Sequence, residues 1–462
     1  MVEFASLGLA EPVLKALAAK NYKTATPIQG KAIPPLMEGR DLCGIAQTGT
    51  GKTAAFALPA LHYLHNNPGP RKGGSCRVLV LSPTRELAAQ IAQSFRDYGR
   101  FLPFTVDAVF GGVPIGKQIA KLRQGVDIVV ATPGRLLDLI EQRAISLADV
   151  EIFVLDEADQ MMDLGFIVPL KRIAKLLPRK RQNLFFSATM PKAIKDLSTQ
   201  FITDPVHVEV APQSTTAERV KQYATFVNQK EKQALLTLTL KNETIERALI
   251  FTRTKHGADR VVRHLVGAGI EAMAIHGNKS QSQRTTALQA FRSGQIKLLV
   301  ATDIAARGID VPGVSHVFNF ELPNVAEQYV HRIGRTARAG ADGISISFVD
   351  DEERPYLKAI EKASRVRCEM VPLPENFLAE AAKLPAPAPQ KENSGRDGPR
   401  GDGRGRPGGR PAGNGGRGGE QRTHGAGEDE NRARRPRRRS GGGSVGTHKG
   451  AVQRTGGSGG GR

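Results

Sequence analysis

The sequence predicts an α/β fold of two parallel-sheet domains followed by an unstructured basic tail, and three observations carry that prediction. Short apolar runs rich in Val, Ile and Phe alternate with segments of helical period through the first 390 residues, which is the pattern of parallel strands covered by crossover helices. A polar stretch without a strong period, Ala211 to Arg219, divides those runs into two series. Beyond it the composition changes: residues 391–462 hold 24 of the 50 glycines, 15 Arg and 2 Lys against 7 acids, and no Phe, Tyr or Trp. Such a segment cannot bury enough apolar area to offset the entropy of ordering it.

In chain order, strands are expected near 41–46, 77–82, 105–110, 127–131, 151–155 and 183–187, then near 247–252, 270–275, 297–301, 315–320 and 343–349. The domain limits that follow are 1–210 and 219–375, with 211–218 as linker. Residues 376–462 are read as a Pro-rich linker, with PAPAPQ at 385–390, and a disordered Gly/Arg-rich tail. Two α/β domains of similar size leave a cleft between them.

The chain carries 66 Lys and Arg against 45 Asp and Glu, a balance of +21. A field of that sign attracts polyanions, nucleic acid first among them. No stretch approaches the run of about 20 apolar residues a membrane span needs, so no membrane partner is expected. Cys43, Cys76 and Cys368 stand far apart without a C-x-x-C pair, which speaks against a disulfide scaffold or a structural zinc site. The N-terminus lacks the marks of a secretory signal, and a reducing, cytoplasmic location is expected.

Ala46-Gln47-Thr48-Gly49-Thr50-Gly51-Lys52-Thr53 follows an apolar strand and opens a helical segment, the context of a phosphate-binding loop. Its glycines let backbone N–H groups turn onto phosphate oxygens, Lys52 reaches the β and γ phosphates, and the Thr53 hydroxyl can hold Mg²⁺. Ala46 stands where the strict pattern has its first glycine. A Gly-rich turn with an incidental lysine is the plainer alternative.

Ile152 to Leu155 leads into Asp156-Glu157-Ala158-Asp159, adjacent carboxylates at a strand's C-terminal end, where open sheets bind ligands. Asp156 can hold Mg²⁺ and Glu157 can polarise an attacking water; a helix cap is the alternative. In the second domain Arg332, Arg335 and Arg338 recur at spacings of three and share one face if the segment is helical. Arginines supplied across a cleft stabilise charge on a transferring phosphoryl group, although a solvated basic helix fits the same pattern.

These residues resemble the DEAD-box RNA helicases of the second helicase superfamily, from about Phe4 to about residue 370. The resemblance rests on motifs in order: Thr26-Pro27-Ile28-Gln29, the loop at 46–53, Pro83-Thr84-Arg85-Glu86-Leu87, Gly111-Gly112, Thr132-Pro133-Gly134-Arg135, Asp156 to Asp159 and Ser187-Ala188-Thr189. The second domain adds His276-Gly277, Gln281 to Arg284, Ala301-Thr302-Asp303, Ala306 to Asp310 and His331 to Arg338. The wording at 160–166 and 185–190 resembles the bacterial RhlE type. Asn21 and Ala25 depart from the family's usual Gly and Pro.

The resemblance implies two tandem RecA-like domains and an ATP- and Mg²⁺-dependent enzyme. In it, Gln29 reads the adenine edge, Tyr22 stacks on the base and Phe4 supports them. Thr48, Gly49, Thr50, Gly51, Lys52 and Thr53 hold phosphates, and Asp310 approaches the ribose. Lys52, Asp156, Glu157, Arg335 and Arg338 form the catalytic set, with Thr53 and Asp156 toward the metal. Ser187, Thr189, His331 and Arg332 couple the nucleotide state to closure, the last two by bracing the domain interface. RNA contacts fall to Pro83, Thr84, Arg85, Gly111, Gly112, Thr132, Gly134 and Arg135 in the first domain, and to Arg253, Gly277, Arg284 and Thr302 in the second. Such contacts reach the sugar-phosphate backbone and carry no base sequence. The implied action is local separation of short RNA duplexes, with ribosomal precursor particles or RNA-decay proteins as candidate partners. Without the motif wording, a DNA-directed translocase or an RNA clamp fits the same phosphate loop and arginine face.

Overall fold

The computed structural model describes residues 2–47, 49–210, 220–306, 309, 311, 313–337 and 342–386. The expected linker 211–218 and the basic tail lie outside the described residues, as do Thr48, Asp310 and Arg338.

Seven strands form the first sheet: β1 (Leu42–Ile45), β2 (Val78–Leu81), β3 (Val106–Val109), β4 (Ile128–Ala131), β5 (Ile152–Leu155), β6 (Gln182–Ser187) and β7 (Val206–Glu209). Seven form the second: β8 (Val220–Phe226), β9 (Ala248–Thr252), β10 (Ala272–Ile275), β11 (Leu298–Thr302), β12 (His316–Asn319), β13 (Gly343–Val349) and β14 (Glu369–Met370). The orders are β3-β4-β2-β5-β6-β1-β7 and β10-β11-β9-β12-β13-β8-β14. Pairing is parallel throughout.

Strands of a parallel sheet are buried on both faces, which is why they read as unbroken apolar runs. Val78 and Val80 of β2 pack on one face with Phe56 and Phe186, whereas Leu79 and Leu81 pack on the other with Phe153 and Phe185. In the second lobe Ala248 and Ile250 face one core, Leu249 and Phe251 the other. Each buried Val, Leu, Ile or Phe among these contributes about 1.5–3 kcal/mol.

Every expected strand forms, with ends within two residues, but β7, β8 and β14 were not anticipated. β7 and β14 are short outer strands. β8 reads VKQYATF, and its polar Gln222 is buried because the Tyr329 hydroxyl donates to it at 3.0 Å. A tertiary partner makes that strand possible, and no local pattern announces it. The second lobe also runs past its expected end at 375: Phe377–Ala382 is a helix, and Phe377 is buried in that lobe's core. Phe377 has a core to enter while Leu378 beside it stays exposed, so this part of the expected linker is structured.

Candidate nucleotide and nucleic-acid sites

Strand register delivers the motifs. Ile45 of β1 lies beside Ser187 of β6, and Leu155 of β5 beside Phe185 of β6. The phosphate loop, Ser187 and the Asp156-Glu157 pair therefore leave three neighbouring strands side by side. On the other half of the same edge, β2, β4 and β3 are held in register by Leu81, Ala131 and Val109, and they release Pro83-Thr84-Arg85, Thr132 to Arg135 and Gly111-Gly112. One sheet edge thus presents two sites.

In the first of these a cleft of about 760 Å³ is lined by Phe4, Tyr22, Gln29, Gly49, Gly51, Lys52, Thr53, Asp156 and Glu157 from the first lobe and by Arg335 from the second. Phe4 is buried under the rim, whereas Tyr22 is 46% exposed and offers its ring to the cleft. Gln29 accepts from the Thr26 N–H at 2.9 Å and donates to the Gly51 carbonyl at 3.1 Å. The adenine-reading candidate thereby touches the phosphate loop directly. Gly51 has φ +97°, and a Cβ there would lie 2.4 Å from Gln29 Nε2, so glycine is required twice over. Thr50 closes the turn by donating to the Gln47 carbonyl at 2.7 Å. Lys52 is buried and donates to the Ala46 carbonyl at 2.9 Å.

Glu157 sits in the left-handed region, φ +55° and ψ +53°, at the head of the short helix Ala158–Asp163. A non-glycine residue held there costs about 1–3 kcal/mol, and such outliers cluster at active sites. Burial pushes the neighbouring Asp156 up to about 7; Lys52 pulls the other way and Glu157 reinforces the rise. Asp156 Oδ1 is buried and meets no hydrogen-bond partner. A carboxylate oxygen in that condition, beside Thr53 in the same cleft, fits a divalent cation. The raised value also has a consequence for stability. The folded form binds the proton more tightly than an unfolded aspartate of about 3.9, so the penalty grows between roughly pH 4 and pH 7 and is full above it. Asp156→Asn should raise the melting temperature at pH 8 without added Mg²⁺, by a gain that shrinks toward pH 5. A gain independent of pH would show that the substitution relieves something other than the buried charge.

Ser187 and Thr189 meet Asp159, a residue not singled out from the sequence. Asp159 Oδ2 accepts from the Ala188 and Thr189 N–H groups at 3.1 and 3.0 Å and from the Thr189 hydroxyl at 3.1 Å. Its own N–H donates to Ser187 Oγ at 3.3 Å. The acidic strand end and the Ser-Ala-Thr segment are one hydrogen-bonded unit.

On the second site Thr84 caps the helix Arg85–Tyr98 by accepting from the Leu87 N–H at 3.3 Å. Pro83 and Thr132 are buried; Gly134 is exposed. Arg135 donates to the Val113 carbonyl and to Gln118 Oε1 at 3.1 and 2.8 Å. Gly112 has φ +80°, and a Cβ there would fall 1.9 Å from Arg85 Nη1. Burial first, then the charge of Arg284, and more weakly that of Arg135, hold Arg85 below the usual guanidinium range, with the Glu86 carboxylate opposing them. From the second lobe, Arg253, Gly277 and Thr302 lie at the ends of β9, β10 and β11, neighbours in that sheet. Arg253 and Gly277 are exposed, while Thr302 is buried.

Arg284 does something else in this structure. It grips Glu86 of the first lobe at 2.8 Å (Nε to Oε1) and 2.7 Å (Nη2 to Oε2), with both side chains at least nine-tenths buried. Gln281 bridges the same elements, accepting from Arg85 at 3.4 Å. The residue read as an RNA contact is spent on holding the lobes together.

The arginine segment also differs from expectation. Its helix, Ala326–Ile333, ends at Gly334, so Arg332 and Arg335 do not share a helical face. Arg332 is buried within the second lobe, paired with Asp303 at 2.6 and 2.7 Å and donating to the Glu321 carbonyl at 2.6 Å. It braces its own lobe, not the interface. Arg335 donates to the carbonyls of His331 and Ile309 at 3.2 and 3.0 Å and reaches the cleft from the turn beyond. Asp159, Glu86 and Asp303 are the carboxylates that the sequence reading missed. Each lies inside or beside a recognised motif, but its partner is distant in sequence.

A phosphate loop on one parallel-sheet lobe and an arginine entering its cleft from a second fit the class of two-lobed proteins that take a nucleotide between their lobes. The chain matches the DEAD/DEAH box helicase family over residues 26–197 and the helicase conserved C-terminal domain over 229–340. It is 42% identical over 384 residues to the ATP-dependent RNA helicase CshA of Listeria monocytogenes, covering 83% of this chain and 73% of that protein. Against the CshA of Streptococcus pneumoniae it is 44% identical over 366 residues, 79% of this chain and 69% of that one. Among solved structures it resembles S. cerevisiae Dbp5 bound to RNA and ADP BeF3, with TM-score 0.72, 33% identity, and coverage of 83% and 99% of the two chains. Mss116p bound to ssRNA and AMP-PNP gives TM-score 0.73 and 27% identity, with coverage of 83% and 82%. The chain belongs to the DEAD-box family of ATP-dependent RNA helicases, and its two sheets are the family's RecA-like domains. These relatives are called CshA, and the loop wording that resembles the RhlE type does not decide the subgroup. Among the described residues no helix is long and apolar enough to cross a membrane.

Proposed function

We propose that the chain hydrolyses ATP in response to RNA and uses closure of its two lobes to separate short RNA duplexes or to remodel RNA-protein complexes. The observation that carries this reading is one cleft lined by Lys52, Asp156 and Glu157 of the first lobe together with Arg335 of the second. A site divided between two lobes is complete only when they meet, so turnover follows closure. Closure in turn depends on how much more tightly each ligand binds the closed state.

In this mechanism the loop amides and Lys52 hold the triphosphate, and Gln29 and Tyr22 select adenine over the rim supported by Phe4. Glu157 orients the attacking water and takes its proton, while Arg335, with Arg338, faces the charge that develops on the departing phosphoryl group. Thr53 and Asp156 would hold Mg²⁺, which neutralises phosphate charge when bound. Arg85, Arg135 and Arg253, with the backbones at Gly111-Gly112, Gly134 and Gly277 and the hydroxyls of Thr84 and Thr302, grip RNA through phosphate and 2′-hydroxyl without regard to base. Arg284 serves closure through Glu86. A first domain over 1–210, a second from 219 that runs on through the helix Phe377–Ala382, a cytoplasmic location, and partners in ribosome assembly or RNA decay belong to the same proposal.

Steady-state ATP hydrolysis measured with no nucleic acid, with single-stranded RNA and with the same sequence as DNA tests it. RNA should stimulate at least about tenfold more than DNA, a transition-state difference of ~1.4 kcal/mol. Equal stimulation by DNA would point to a translocase, and none by either to a clamp.

A further inference from the structure

The helix Lys255–Gly267 begins directly after β9 and carries Lys255, His256, Arg260, Arg263 and His264 against a single carboxylate, Asp259. Asp259 is turned to the adjoining loop, where it meets His276 at 3.0 Å and Lys279 at 2.8 Å. Arg260 and Arg263 have no ion pair among the described residues, and Arg263 Nε is buried without an acceptor. His264 is held below its usual range by burial first, and then by the charges of Arg263 and Arg260. The cations are therefore close together and unneutralised. His256, Arg260 and Arg263 follow the i, i+4, i+7 spacing of one helical face.

The helix starts beside the RNA grip, and its basic face begins one residue on from Lys255. Lys255, at its near end, donates to Asn278 Oδ1 at 3.0 Å, beside Gly277. From Lys255 to Arg263 the helix rises about 12 Å. The helix has no Phe, Tyr or Trp, and His256 is the one ring on the face that could stack on a base. What it chiefly offers is positive charge.

We propose that this helix face binds the phosphodiester backbone of RNA that extends past the strand held in the cleft. The proposal rests on the RNA-dependent function above and adds a track outside it. An acidic protein segment fits the charge but not the position beside Gly277 and Arg253.

The test uses the full chain carrying Arg260→Glu and Arg263→Glu together, with Arg260→Gln and Arg263→Gln as a milder pair should the first fold poorly. Three RNAs are compared: a short single strand just sufficient to stimulate ATP hydrolysis, the same strand with a single-stranded extension, and the same strand with a duplex extension. Binding and stimulation by the short strand should be unchanged. At about 100 mM salt, binding of an extended RNA should weaken roughly tenfold with the Glu pair, and the slope of log K against log salt should fall by about two, one per lost phosphate contact. The extension that suffers identifies whether continuing single strand or flanking duplex is bound. Unchanged affinity for every RNA would overturn the proposal and leave the face to an acidic partner. An equal loss on the short strand would also overturn it, because the effect would then arise in the cleft. If RNA fails to stimulate the unaltered protein, the function itself fails and this surface with it.

Discussion

Glu157→Gln should lower RNA-stimulated ATP turnover by about a thousandfold or more while both ligands stay bound. The substitution keeps the shape of the side chain at the head of the helix Ala158–Asp163 and removes its charge and with it the ability to take a proton. General-base catalysis contributes about 10²- to 10⁴-fold, and a thousandfold is ~4 kcal/mol of barrier. The strained backbone at this residue, φ +55°, aims the group whether it is Glu or Gln, so binding should survive. Single-turnover and steady-state assays then diverge. A recycling enzyme stalls on RNA with ATP bound, whereas an RNA clamp keeps its function. Multiple-turnover duplex separation at the unaltered rate in this variant would count against the proposed mechanism.

Arg335→Ala is expected to have an effect as large by a different route. Arg335 is 5% exposed and is held by two carbonyls of its own lobe, yet it lines the cleft built by the other. An arginine supplied to a transferring phosphoryl group is worth about 10³–10⁵ in kcat. The loss should therefore fall on kcat, with the KM for ATP and nucleotide-free RNA affinity little changed. Arg335→Lys should rescue little, because a lysine cannot reproduce the planar two-point geometry. A proportionate loss of RNA binding would instead mark Arg335 as a structural residue. Arg332 serves as the contrast: buried against Asp303 and Glu321, its removal should lower the melting temperature of the second lobe.

The chemistry of the cleft was legible because phosphate binding and water activation demand residue types at fixed local spacing, as in Gly49 to Thr53 and Asp156-Glu157. The buried strands were legible because both of their faces are apolar. What escaped depends on pairing across the chain. Asp159 looks like any acidic residue until Thr189 is folded against it. Glu86 and Arg284 each stand in a recognised motif, and only the meeting of the lobes gives them to one another. β8 was hidden because VKQYATF mixes polar and apolar residues without a regular period, and Tyr329, more than a hundred residues on, makes the burial of Gln222 tolerable. The arginine repeat misled because a spacing of three implies one face only while the helix continues, and Gly334 ends it.

The Glu86–Arg284 pair has a bearing on how the enzyme lets go. Withdrawing two charges from water offsets most of what their attraction returns, so the contact sets the geometry of the joined lobes while adding little to their affinity. This contact then does little to favour the joined form over the parted one, and the balance between them is left to the ligands that bind each form differently. Buried charges are also screened far less by salt than the exposed cations that hold RNA. Rising ionic strength should accordingly weaken the hold on RNA before it disturbs the contact between the lobes, which separates release of the substrate from reopening of the protein.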